Sequence, residues 1–174
     1  MSQADKPKPQ LDDAALAFAE QVFDSTRQGD AARLADLLGR GLPPNIRNHN
    51  GDSLLMLAAY HGHRDAARVL LENGADPQLR NDKGQTPLAG AAFKGDLAMI
   101  ELLIEHGADV EDASPDGKTA LMMAAMFNRT EIVEYLIAQG ANPNAADNNG
   151  ATPLAAAALM GAVDTHALLS RIGG

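Results

Sequence analysis

Gly51, Gly84, Gly117 and Gly150 stand 33 residues apart. Two more columns keep the same spacing: Gly41, Gly74, Gly107 and Gly140, and Gly29, Gly62, Gly95 and Gly161, with Asn128 in the one slot that lacks glycine. A period shared by three columns without an insertion constrains the fold more than any single motif. The chain must stack like units, each burying its apolar face on the next. Asn81–Ala113 (NDKGQTPLAGAAFKGDLAMIELLIEHGADVEDA) is one whole period.

Each period has one grammar. A turn comes first, at Asn50-Gly51, Lys83-Gly84, Asp116-Gly117 and Asn149-Gly150. Helix starts follow at Ser53-Leu54, Thr86-Pro87, Thr119-Ala120 and Thr152-Pro153. A Ser or Thr hydroxyl caps free N–H groups there, and Pro suits the first helical position. Ala58-Ala59, Ala91-Ala92, Ala124-Ala125 and Ala156-Ala157 let neighbouring helices approach closely. After the inter-helix Gly comes a second helix with Leu37, Leu70, Leu103, Leu136 and Leu169 in one column, ending at Gly-Ala. Asn128 fits its slot because Asn enters the left-handed region more readily than most residues with a Cβ.

These signals predict an elongated domain over residues 11–174. Its units are 11–47 (an N-terminal cap), 48–80, 81–113, 114–146 and a shortened C-terminal cap, 147–174. Asp12 or Asp13 starts a first helix toward Gln28, and a second runs from Ala31 to Leu38. Residues 1–10, polar with Pro7 and Pro9, read as a disordered tail. Aromatics are only 3% of the chain, so the core is built from Ala, Leu, Ile, Val and Met. With no cysteine, disulfides and thiolate metal sites are excluded.

The pattern Gly-x-Thr-Pro-Leu…Ala-Ala-x-x-Gly…Leu-Leu-x-x-Gly-Ala-Asp/Asn, repeated from about residue 11 to 174, resembles the ankyrin repeat family, of the small stand-alone bacterial kind. The resemblance implies an all-α solenoid of about five helix-turn-helix repeats with short projecting turns or β-hairpin loops. One departure recurs: the family's His after Thr-Pro-Leu is Met56, Ala89, Met122 and Ala155 here. The hydrogen bonds that this His makes between turns are then absent or replaced, and the loops less rigid.

Inner units are apolar on the outer helix, as at Met99, Ile100, Leu102 and Ile104, whereas Arg33 and Asp36 in the first unit and Thr165, His166 and Ser170 in the last are polar. This predicts solvent-facing ends and a complete stack.

Chemistry is hard to place on such a frame. No Gly-Lys-Ser/Thr follows any glycine, and no nucleophile stands beside a base, so neither a cofactor nor a catalytic site is expected. His61-Gly62-His63 with Asp65 is the strongest metal candidate, yet His63 occupies a slot where the family commonly carries His. Asp12-Asp13 and Glu111-Asp112 read as a helix cap and a solvated loop.

The informative columns are the two residues before each inter-helix slot: Arg27-Gln28, Tyr60-His61, Phe93-Lys94, Met126-Phe127 and Leu159-Met160. The resemblance implies that they lie on the concave side, where partners are gripped. Three of the six Phe and Tyr residues fall there. Packing on neighbouring turns could explain them; an apolar ladder awaiting a partner explains them better. Projecting turns supply the second half of the surface, through His49, Asn50 and Asp52; Asp82, Lys83 and Gln85; Pro115, Asp116 and Lys118; and Asn148, Asn149 and Ala151.

A net charge of −9 argues against nucleic-acid binding and leaves a solvated acidic surface, or a basic partner, as readings. The start, MSQADKPKPQLDD, lacks an apolar signal region, and nothing spans a membrane, so a cytoplasmic chain is expected. The sequence therefore predicts a non-catalytic module that binds one partner protein, monomeric or self-associating through its groove. A stoichiometric inhibitor or immunity-like partner of an enzyme or toxin is the alternative, and a metal-binding protein or enzyme the remote one.

Overall fold

Ser53, Thr86, Thr119 and Thr152 each accept, through the side-chain hydroxyl, the backbone N–H three residues on, at 3.0–3.3 Å. Four helices start on these caps. A computed structural model describes residues 12–173, so the expected tail over residues 1–10 lies outside the described residues. Among these residues the helices are α1 (Asp13–Arg27), α2 (Ala31–Gly39), α3 (Leu54–Tyr60), α4 (Arg64–Glu72), α5 (Pro87–Lys94), α6 (Leu97–Glu105), α7 (Ala120–Met126), α8 (Thr130–Ala138), α9 (Pro153–Leu159) and α10 (Val163–Ile172). Two isolated antiparallel bridges, Arg47 with Ser53 and Ala113 with Thr119, are the extended pairing present. The fold is an all-α solenoid.

The helices form two rows. α1, α3, α5, α7 and α9 stack in an inner row; in the outer row α2 packs on α4, α4 on α6, and α8 on α10. The inner row is close because its contacts are methyl groups: Ala58, Ala59, Ala91, Ala92, Ala124, Ala125 and Ala157 are fully buried. Between the rows Leu70, Met99, Ile100, Leu103, Leu121 and Leu136 continue one apolar cluster from Val22 to Leu169. Truncating one such side chain to Ala costs about 2–5 kcal/mol.

Outer helices end as Gly-Ala for a local reason. Gly107 takes φ 98°, which lets the Ala108 N–H reach back to the Leu103 carbonyl at 3.0 Å. This closes the orphan carbonyls of the last turn, and Ala108 itself is buried against the core.

Each projecting turn is held by hydrogen bonds to the side chain of its first residue. Asn48, Asn81 and Asp147 each accept through a side-chain oxygen the N–H groups two and four residues on, at 2.9–3.0 Å. Ser114 does the same for Lys118 alone, at 3.2 Å. Turns are joined to each other by Asp82 N–H to the Asn50 carbonyl (3.1 Å) and Asn148 N–H to the Asp116 carbonyl (3.0 Å). The matching bond from position 115 cannot form, because Pro115 has no N–H.

One residue assigned to a polar end face turns inward. Thr165 is fully buried, and its hydroxyl donates to the Ala125 carbonyl at 2.7 Å. Its polarity serves the joint between α7 and α10, because a buried hydroxyl is tolerated once bonded. Arg33, Asp36, His166 and Ser170 are exposed, as the end-face pattern requires.

Candidate functional site

Along the inner row a groove of about 930 Å³ runs between the projecting turns and the C-terminal ends of the first helices. Tyr60, Phe93, Met126 and Phe127 line it on one side, with Asp52, Lys83, Gln85, Asp116 and Lys118 on the other. Helix ends set the first group: Tyr60 and Met126 are the last residues of α3 and α7, Phe93 is the last but one of α5, and Phe127 directly follows α7. Tyr60 and Phe93 remain 42% and 43% exposed, although each is large and apolar. The Phe93 and Phe127 rings meet edge to face, with centroids 5.2 Å apart at 86°. Such a pair fixes both rings and contributes about 0.5–1.5 kcal/mol. Rings held in place have little side-chain freedom left to lose.

Other expected residues lie at the margins. His61 packs edge-on to Tyr60 at 5.4 Å, and the Lys94 ammonium lies 4.3 Å from the centroid of the Tyr60 ring. Leu159 and Met160 are outside the groove, 86% and 50% exposed at the far end of the inner row. Asp82 is exposed and also outside it. It serves the frame, with its carboxylate against Gly51 and its N–H bonded to Asn50.

The groove has a floor that the ladder columns did not include. Met56, Leu57, Ala89, Gly90 and Met123 line it, as do the turn anchors Asn81 and Ser114. The floor residues sit three or four positions before Tyr60, Phe93 and Met126, so helical spacing alone could have found them. Gly90 makes a dip in that floor: a Cβ added there would meet only the Met56 sulfur at 3.9 Å and the Tyr60 ring at 4.0 Å.

Charge on the turn side is mostly spoken for. Asp116 accepts from Lys118 and from the Ser114 hydroxyl, and these bonds hold its carboxyl at about 2, below the usual carboxylate value. Asp52 accepts from Asn81 at 2.9 Å. The His61 imidazole is held below its ordinary pKa, first by burial and then by the positive charges of His63, Lys94 and Arg27.

His63 belongs to the scaffold. Its Nε2–H donates to the Arg27 carbonyl at 2.7 Å, and its ring lies over Gly29, where a Cβ would come within 2.5 Å of Nδ1. Among the described residues no group of three or more His, Asp or Glu side chains is placed to hold a metal ion. None of the hydroxyl groups described hydrogen-bonds a histidine ring. No described helix is long and apolar enough to cross a membrane.

The family model described as ankyrin repeats, three copies to a match, fits residues 23–114 and again residues 91–173. A curated Pseudomonas aeruginosa protein named "Putative ankyrin repeat protein" is 64% identical over 65 residues. That match spans 37% of this chain and 38% of the relative, so the chain matches little more than a third of its length.

Proposed function

This chain belongs to the ankyrin repeat family, and from that premise we propose that it binds one partner protein in the groove of its inner row. Ankyrin repeat domains generally are protein-interaction modules without catalysis. The observation that carries the proposal is the exposure of Tyr60 and Phe93 along a groove that also holds Met126 and Phe127. Aromatic anchors of this kind, once buried by a partner, are typically worth about 2 kcal/mol or more each. Two of them therefore account for roughly a thousandfold in affinity. The turn residues Asp52, Lys83, Gln85 and Lys118 supply directional contacts beside the anchors, and set specificity more than affinity.

The experiment is a comparison of wild type with F93D/F127D as baits, with retained proteins quantified by mass spectrometry. Partners held by wild type drop out of the double variant. Equal retention by both sinks the proposal. Light scattering after size exclusion, at two concentrations, accompanies it; a monomer with an open groove is expected.

A further inference from the structure

We propose that the segment this groove accepts is acidic as well as apolar: hydrophobic side chains on Tyr60, Phe93 and Phe127, and Asp or Glu side chains on Lys83 and Lys94. It rests on the groove reading above and adds the chemistry of the occupant.

The argument is one of charge placement. The described residues contain three lysines, Lys83, Lys94 and Lys118, and all three stand at the groove: Lys83 and Lys118 in its lining, Lys94 over Tyr60. The helices α3, α5, α7 and α9 carry no carboxylate, and Lys94 is their one charged residue. Of the outer helices, α4 balances Asp65 and Glu72 with Arg64 and Arg68, whereas α6 and α8 carry Glu101, Glu105, Glu131 and Glu134 with no basic residue. The groove lining balances Asp52 and Asp116 with Lys83 and Lys118, and so carries none of the chain's net charge of −9.

Within the groove the two signs differ in what they have left to offer. Asp116 is bonded to Lys118 and Ser114, and Asp52 to the Asn81 amide. Lys83, in the turn before α5, and Lys94, at the end of α5, have no carboxylate within 4.0 Å among the described residues. Lys94 is steered by the Tyr60 ring face, which attracts a cation but leaves its outward N–H groups open. A partner that covered Phe93 with a basic flank would press like charges together as water left. An acidic flank gains the opposite. The distant carboxylates on the outer helices oppose it weakly, since fields are screened beyond about 8 Å at physiological salt.

The test is a random 16-residue peptide library displayed on phage, selected on the immobilised full chain and counter-selected on F93D/F127D. Tyr60→Asp replaces the double variant if thermal melts show that it does not fold. Groove-dependent peptides are expected to carry net negative charge beside aromatic or Leu residues. Their affinity, read by fluorescence anisotropy, should fall about tenfold or more in K83E/K94E, as expected for two exposed ion pairs lost and reversed. Groove-dependent peptides that are neutral or basic, or unchanged binding by K83E/K94E, overturn the acidic assignment and leave the groove reading standing. A dimer of the chain that disappears in F93D/F127D identifies a second copy as the occupant and also overturns it. If no selected peptide depends on Phe93 and Phe127, the groove reading falls too.

Discussion

The side-chain carbonyl of Asn128 accepts the backbone N–H of Thr165 at 3.1 Å, and that of Asp164 at 3.0 Å, across a repeat boundary. α10 begins after Ala162, which has no side-chain acceptor, whereas Asp30 and Asp96 cap α2 and α6 from within their own units. Asn128 takes φ 59° in a slot held elsewhere by glycine. It meets the backbone demand of its own unit and caps the helix of the next.

Substitution at 128 should therefore order as Asn, then Gly, then Ala. Glycine keeps the left-handed backbone and loses the cap, at a cost of about 1 kcal/mol. Alanine adds a left-handed strain of about 1 kcal/mol or more. Thermal melts should show steps of about 2–4 °C for each. A glycine variant as stable as the parent would show that the cap contributes nothing.

Pro115→Asn should leave stability within about 0.5 kcal/mol of the parent. The new N–H can donate to the Lys83 carbonyl and complete the row of turn-to-turn bonds, a gain of about 1 kcal/mol. Loss of the proline constraint on the unfolded chain removes about the same. Hydrogen exchange separates the terms: the new amide should be protected like those of Asp82 and Asn148, and rapid exchange would show that the third bond does not form.

Asp116 gives the turns a modest dependence on acid. Its bonds from Lys118 and Ser114 lower its folded pKa to about 2. A depressed carboxylate stabilises the fold above its ordinary value of 3.8 and ceases to do so as pH falls toward about 2. The group is largely exposed, so solvent screening keeps this below about 1 kcal/mol. Urea melts at pH 5 and pH 2.5 should show a smaller acid loss in Asp116→Asn than in the parent; equal losses would remove Asp116 from the account.

His61 reports on the groove's charge. Burial and the cations His63, Lys94 and Arg27 hold its pKa below 6.5. Lys94→Gln should raise it, as followed by NMR of the imidazole ring protons. The sign for stability follows: a depressed histidine favours the fold above its ordinary pKa, and that contribution is lost as pH falls below it. No change in the titration of His61 would place Lys94 too far away to matter.

Most of the frame was legible because it obeys rules that act within one helical turn. A hydroxyl before Leu54 or Pro87 caps three N–H groups away, and a glycine at 107 turns the chain whatever lies beyond it. The column of Tyr60, Phe93, Met126 and Phe127 was legible from the 33-residue spacing, while its place on the concave side came from the family resemblance. The groove floor at Met56, Leu57, Gly90 and Met123 follows from that spacing one turn earlier and was overlooked. Thr165 was misplaced because its acceptor, the Ala125 carbonyl, lies 40 residues away.

By itself the sequence determined the repeat, the helices, their caps and the apolar column, since each depends on neighbours within a few residues. Tertiary structure alone decided which polar groups are already satisfied: Asn128 on the next helix, Thr165 on the Ala125 carbonyl, Lys94 on an aromatic face. Hydrogen bonds and Coulomb forces act through space, so partners 30 or 40 positions apart cannot be paired by counting. The same is true of charge. A net of −9 is a sum over the chain, and it does not reveal that the three described lysines stand together at the groove.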